Sequence, residues 1–287
     1  MQNLNKFLRV TGALAGLLVI VGVGLYVAKT PHNDRVWAEH FEKTNTAVLN
    51  DDGTVTLFNV RNWTYDEGRV VGREWIDQVT VDPTQIVQVW FSLEPFPDWS
   101  RVGHTYLTFE FADGASLSFS VEARMEQGES YSALRGLFRE YELAYTWGTE
   151  SDFLMRRLAL LDHEVYRYPL SIKPETATTI FTALVTATND LTVHPRFYNT
   201  LTANCTNILA QIVNEHYDNR LPYDLSWNLP GSSDTYLMAQ GYIKSTGTLE
   251  ESRQEHALAK HKEALRNLHV TYEWREFSQV LREHLSQ

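Results

Sequence analysis

The chain has 287 residues, 43% of them hydrophobic and 21% charged, with 36 acidic against 25 basic side chains and a net charge of −11. That length suffices for one large domain with appended helices, and the acidic balance, with no basic stripe and no interleaving of basic and aromatic residues, argues against a nucleic-acid partner. A single cysteine, Cys205, excludes an intramolecular disulfide and leaves a thiol that is either a small buried hydrophobe or a reactive group.

Taken in chain order, residues 10–28 carry no charged side chain. At ~1.5 Å per residue such a helix nearly crosses a ~30 Å hydrocarbon core, so this segment reads as a transmembrane anchor. Lys6 and Arg9 precede it, which holds residues 1–9 in the cytoplasm and sends the rest across. Tyr26-Val27-Ala28-Lys29 offers no small-x-small cleavage site, favouring an uncleaved anchor over a signal peptide. No cysteine stands just after the apolar run, which argues against a lipoprotein. Residues 29–59 form a juxtamembrane region: a helix from Val36, an Asp51-Asp52-Gly53 turn and a short strand ending at Phe58.

Residues 70–91 alternate as strands around an Asp82-Pro83 turn, whereas 93–99, with Pro95 and Pro97, reads as a loop. A loop with a short helix is expected over 131–143, a strand over 162–170 and a helix over 174–189, with Pro174 in its first turn. Residues 228–234 read as a loop over the site. Residues 246–287 form a charged helical tail whose His256, His261 and His269 lack the spacing of a metal pair and read as solvated surface.

The segment 102–124 carries the most information. Ala112-Asp113-Gly114 fits a three-residue hairpin loop with Gly114 left-handed. That register sets Phe111 opposite Ala115, Phe109 opposite Leu117, Leu107 opposite Phe119 and Thr105 opposite Val121, giving one apolar face. The other face pairs Glu110 with Ser116, Thr108 with Ser118, Tyr106 with Ser120 and His104 with Glu122. A two-residue loop would mix the faces, so the hydrophobic pattern selects this register. An imidazole facing a carboxylate has its tautomer fixed and its charged form supported. The alternative is an exposed cross-strand pair worth ~0.2–1 kcal/mol. Downstream, residues 198–204 are a polar turn feeding a helix marked by Ile208, Leu209, Ile212 and Val213. Cys205 falls in its first turn, where free N–H groups and the macrodipole favour a thiolate. Thiolate, base and orienting acid are the three parts nucleophilic catalysis needs.

Three runs carry a resemblance: Arg101-Val102-Gly103-His104-Thr105-Tyr106-Leu107-Thr108-Phe109; Ser120-Val121-Glu122-Ala123-Arg124 with Gly128-Glu129-Ser130-Tyr131; and Phe197-Tyr198-Asn199-Thr200-Leu201-Thr202-Ala203-Asn204-Cys205-Thr206. Together they resemble the N-terminal periplasmic domain of the Lnb family of bacterial lipoprotein N-acyltransferases. The order, histidine first and Asn-Cys later, is similar to circularly permuted papain-like enzymes, the group that includes lecithin:retinol acyltransferase. The resemblance spans residues 60–245, taken as the catalytic domain. It implies an α+β fold with a permuted papain-like (NlpC-type) core, an antiparallel sheet packed on a nucleophile-bearing helix, plus the N-terminal transmembrane helix. The inner membrane would hold it, with the catalytic domain in the periplasm.

By the same resemblance Cys205 is the nucleophile, His104 the general base and acid, and Glu122 the group that orients it. Arg124, Glu129, Tyr131, Tyr198 and Asn204 are rim candidates. The Cys205 N–H is the first oxyanion donor, and Asn204 either caps the helix or gives the second. The chemistry implied is attack of the thiolate on a membrane-lipid ester, then transfer of the acyl group to the α-amine of a lipoprotein's N-terminal cysteine, with no cofactor and no metal. A thiol hydrolase acting on peptide or peptidoglycan amides and a non-catalytic membrane-tethered binding module are the alternatives. Fuller Lnb proteins are expected to carry further membrane segments, and nothing after residue 245 is apolar enough to span. A shortened relative with a different acceptor, or one that needs a partner subunit, fits that difference.

Overall fold

The computed structural model describes residues 2–97, 99–217, 220–245 and 247–286, with the side chains of 2–10, 19 and 25 left aside. The Lys6 and Arg9 side chains and Asp98 of the expected 93–99 loop therefore lie outside the described residues. The first helix, α1 (Gln2–Ala28), is long and apolar enough to cross a membrane, and none of its Thr11–Ala28 stretch is buried against protein.

Alternating sequence builds one mixed sheet. Its strands are β1 (Thr46–Leu49), β2 (Val55–Asp66), β3 (Arg69–Val81), β4 (Ile86–Phe96), β5 (Trp99–Phe111), β6 (Ser116–Arg124), β7 (Glu142–Thr149) and β8 (Tyr166–Pro169). Their order is β1-β2-β7-β6-β5-β4-β8, with β3 also paired to β2. All pairings are antiparallel except that of β2 with β7, which meet at Arg61 and Gly148. The β5–β6 hairpin has the register its hydrophobic pattern demands, from Glu110–Ser116 to Tyr106–Ser120, and Gly114 turns it at φ +86°. The ladder ends at Tyr106–Ser120, so His104 and Glu122 lie just past it, where only side chains meet.

The apolar face of the sheet is covered by α3 (Pro174–Val193) and α4 (Cys205–His216). Phe181 of α3 stands edge-on to Phe109, Phe111 and Trp147, while Ile208, Leu209 and Ile212 of α4 join the same core. The opposite face is buried as well, by α2 (Glu150–Met155) and by helices from the C-terminal tail. After α5 (Ser233–Ala239), that tail forms α6 (Leu249–His256), α7 (Lys262–Thr271) and α8 (Trp274–Leu285). Leu265, Phe277 and Leu281 pack there on Trp63, Tyr65, Tyr106 and Phe153.

Four readings of the sequence need correction. The tail is helical but belongs to the core: His269 is buried and accepts the Tyr65 N–H at 3.1 Å, and Arg282 reaches Glu110 at 3.1 Å. The domain edge at residue 60 falls inside β2, because β1 and the first residues of β2 come from the juxtamembrane region. Residues 36–45 hold only a short turn, Glu39–Phe41, since residues 36–38 spend their backbone groups on 125–127: Ala38 N–H donates to Met125 O at 2.9 Å and Gln127 N–H to Val36 O at 2.8 Å. Finally, β4 runs through Pro95 to Phe96. Its neighbour β8 stops at the Leu93–Tyr166 pair and the register breaks after Pro95, the kind of ladder end that tolerates a missing N–H.

Candidate active site

Helix α4 begins at Cys205 because Asn204 caps it. The Asn204 Oδ1 accepts the Thr206 and Asn207 N–H groups at 2.9 Å each, and the Asn207 Oδ1 accepts the Asn204 N–H at 2.7 Å. This reciprocal box uses the orphan donors of the first turn except the Cys205 N–H, which stays beside its own sulfur. Across from it, β5 brings in His104. Gly103 precedes it because the strands close up here: a Cβ would sit 2.6 Å from Glu94 O. The Cys205 Sγ rests 3.9 Å from the carbonyl oxygen of Gly103, the residue before His104, and shares the cleft with the imidazole.

The other side of the imidazole is held by β6. Ser120 Oγ lies 2.6 Å from His104 Nε2 and donates to Glu122 Oε1 at 2.7 Å, while that carboxylate is itself 3.2 Å from Nε2. A Ser120 hydroxyl that donates to Glu122 must accept from Nε2–H, which leaves Nδ1 to serve the thiol. Charge reinforces this arrangement. Burial works against the imidazolium, but Glu122 and the Cys205 sulfur outweigh it and push His104 up to about 10. Burial opposes ionisation of Glu122, yet His104 and two arginines, Arg157 and Arg156, hold it well below the ordinary carboxylate range. Burial likewise opposes the Cys205 thiolate, and His104 with the Thr105 N–H and hydroxyl brings the thiol below its ordinary value. The ground state this favours is a thiolate–imidazolium pair.

These groups line a cleft of about 550 Å³ that also touches Tyr131, Tyr198, Arg156 and Arg157. The Tyr131 and Tyr198 hydroxyls are 3.3 Å apart, and burial together with the nearby sulfur charge keeps both protonated, as donors. Behind the nucleophile, Thr105 and Thr206 hydroxyls meet at 2.9 Å and separate the cleft from an apolar cavity of about 100 Å³ lined by Leu107, Leu209, Trp227 and Tyr236.

Residues 73–235, which contain Cys205, His104 and Glu122, match the Lnb N-terminal periplasmic domain. The chain belongs to the Lnb N-terminal periplasmic domain family. No curated protein and no solved structure matches it. A periplasmic Lnb domain behind the apolar α1 fits a single-pass membrane protein with an extracytoplasmic domain.

Within the Lnb domain the structure sorts the expected residues. Cys205, His104, Glu122, Tyr131 and Tyr198 converge on the cleft. Asn204 takes the capping role alone: its Nδ2 donates to Thr200 O at 2.9 Å and Trp227 O at 3.0 Å, so no amide proton remains for an oxyanion. Arg124 is directed elsewhere, donating to Phe41 O and Thr44 Oγ1 at 2.9 Å each and stacking over Trp37. Glu129 closes a turn by accepting the Glu126 N–H at 2.8 Å.

Other members were not among the expected site residues. Ser120 joins base to acid, and its place on the His104 face was the available signal. Arg157 ties Glu94 (2.9 Å) to Glu122 (3.7 Å), and His163 bonds Glu94, which faces His104 in the β4–β5 ladder. Reading 93–99 as a loop hid Glu94, and nothing in the local pattern marks Arg156 or Arg157.

Proposed function

We propose that this chain is a membrane-anchored cysteine acyltransferase on a permuted papain-like core, moving an acyl chain from a lipid ester through a Cys205 thioester to an amine, with the N-terminal cysteine of a lipoprotein as acceptor. The observation that carries this reading is that Cys205 and His104 line one cleft beside Glu122, with Nε2 of His104 held by Ser120 and Glu122.

In the first half-reaction the thiolate adds to the ester carbonyl, whose oxygen takes the negative charge beside the Cys205 N–H and the Tyr198 hydroxyl. His104 passes its proton to the departing glyceryl oxygen as the C–O bond breaks, leaving a neutral thioester. In the second, the acceptor amine adds to the thioester and gives its proton to His104; the C–S bond breaks and the thiolate–imidazolium pair returns. Glu122 stabilises the imidazolium at the start of the first half and at the end of the second, when His104 carries the proton.

The placement of the cleft favours a lipid donor. Lys29, just after α1, bonds Phe138 O at 3.5 Å and Arg139 O at 3.2 Å and pairs with Glu140 at 3.6 Å, while the Arg139 guanidinium lies 4.6 Å from the Tyr26 ring centre. The segment so tied to the anchor also supplies Tyr131 and Ala133 to the cleft wall. Its Leu134 and Phe138 are 66% and 58% exposed, an apolar lip beside the helix that would enter the bilayer. Mixing the purified chain with lipid, with and without an aminoacyl acceptor, tests the proposal: N-acyl product should form at the expense of free fatty acid. Fatty acid alone, undiminished by the amine, makes the protein a hydrolase.

A further inference from the structure

The cleft holds a second imidazole that the acyl-transfer steps do not use. After the widened helical turn Arg156–Leu160, Asp162 turns the chain back at φ +57°, and the His163 N–H closes on Arg157 O at 2.9 Å. This sets the His163 side chain in the cleft wall, 23% exposed. Its Nδ1 lies 2.5 Å from Glu94 Oε1, and a carboxylate accepts, so Nδ1 carries the ring proton and Nε2 keeps a lone pair. Among the described residues no group bonds that Nε2. Glu94 is itself fixed: Arg157 Nε holds its other oxygen at 2.9 Å, and it stands opposite His104 in the β4–β5 ladder. Of the other charged groups near His163, Asp162 pairs with Lys262, the Glu164 carboxylate accepts the Leu258 and Ala259 N–H groups at 3.1 and 2.8 Å, Arg157 also reaches Glu122, and Arg156 lines the same wall.

Proton balance gives this imidazole a task. An α-amine, with an ordinary pKa of ~7.7–8.0, reaches the site mostly as an ammonium at pH 7. Its nitrogen must shed one proton before it can attack a thioester and a second as the amide forms. His104 takes the second and keeps it to pair with the returning thiolate, so the first needs another base. We propose that His163 is a second catalytic base, whose Nε2 takes the proton that the acceptor's ammonium loses before attack. This rests on the reading of Cys205 as the acyl-bearing nucleophile and adds the residue that readies the acceptor. The step balances: ammonium and unprotonated Nε2 become amine and imidazolium, the amine then forms the C–N bond, and His163 returns its proton to water through its exposed edge. Glu94 supports that imidazolium as Glu122 supports the one on His104.

The test uses the full chain in detergent micelles with p-nitrophenyl octanoate as the acyl probe, so that the burst of p-nitrophenolate reads acylation of Cys205 separately from transfer. Octanoyl transfer is then measured to alaninamide, which carries an α-ammonium at pH 7, and to hydroxylamine, whose nitrogen is already unprotonated there. His163→Asn keeps an N–H for Glu94 but offers no basic nitrogen, and its burst should match wild type. Its transfer to alaninamide should fall by about tenfold at pH 7, where only about a tenth of the α-amine is neutral, and should recover at about pH 9. Its transfer to hydroxylamine should be unchanged. His163→Gln serves if the Asn variant lacks the burst. Undiminished transfer to alaninamide at pH 7 by the variant overturns the proposal and leaves thioester chemistry standing. So does an equal loss with both amines at both pH values, which is what a purely structural role gives. A burst that is absent from wild type, or that survives Cys205→Ser, overturns both readings.

Discussion

At the residue scale the account turns on the coupling of three side chains. His104, raised from 6.5 to about 10, contributes stability that is complete below 6.5 and is lost as pH rises through about 10. Glu122, held below 4.5, contributes stability present above 4.5 and lost as pH falls through its depressed value. Between the lowered Cys205 value and about 10, the thiolate–imidazolium pair is the dominant form. Alkylation of Cys205 by iodoacetamide should therefore titrate below 9.0, and His104→Ala should move that inflection upward, because burial is then opposed only by the Thr105 N–H and hydroxyl. An inflection unmoved by the substitution would separate the two groups. Ser120→Ala and Glu122→Gln should each lower acyl transfer by about tenfold to a hundredfold, as expected for one hydrogen bond to a charged group, and less than Cys205→Ser. Wild-type rates in both would dismiss the relay through Ser120. His104 and Glu122 were legible because hairpin register is fixed by hydrophobic alternation. Ser120 was not, since a serine on a polar face carries no pattern of its own, and Arg156 owes its position to a widened turn that no periodicity announces.

At the element scale the start of α4 is the decisive piece. Asn204→Ala removes the cap and the bonds to Thr200 O and Trp227 O, so it should cost about 1–2 kcal/mol of stability. Turnover per folded molecule should change little, whereas an oxyanion donor would show a loss of about a hundredfold to a thousandfold in kcat. Thermal melts alongside kcat distinguish the two. The helix start was readable from Asn204-Cys205 and the apolar spacing that follows. Strand β4 was not, because Pro95 and Pro97 are strong local breakers and only tertiary context, the early end of β8, makes room for Pro95. The same applies to residues 36–45, whose backbone partners lie at 125–127, far along the chain.

At the scale of the whole molecule, the C-terminal helices cover the polar face of the central hairpin. The charges of α7 and α8 read as a solvated tail, yet their inward faces carry Leu265, Phe277 and Leu281, each 0% exposed. Burying each is worth ~1.5–3 kcal/mol, so deleting residues 246–287 removes an amount comparable to the ~5–15 kcal/mol net stability of a domain. The truncated chain should lose its cooperative melt; a sharp melt near that of the full chain would make the tail dispensable. The sheet, its central hairpin and the nucleophile helix could be read in the residues. The burial of the hairpin's polar face could not, because it depends on helices more than a hundred residues away.

The most direct measurement is the intact mass of the full-length chain after incubation with phospholipid and no amine acceptor, read within a single turnover. The account predicts one added acyl mass on Cys205, absent in Cys205→Ser and released by neutral hydroxylamine as a thioester should be. A chain that stays unmodified under those conditions, with neither thioester nor released fatty acid, would contradict it.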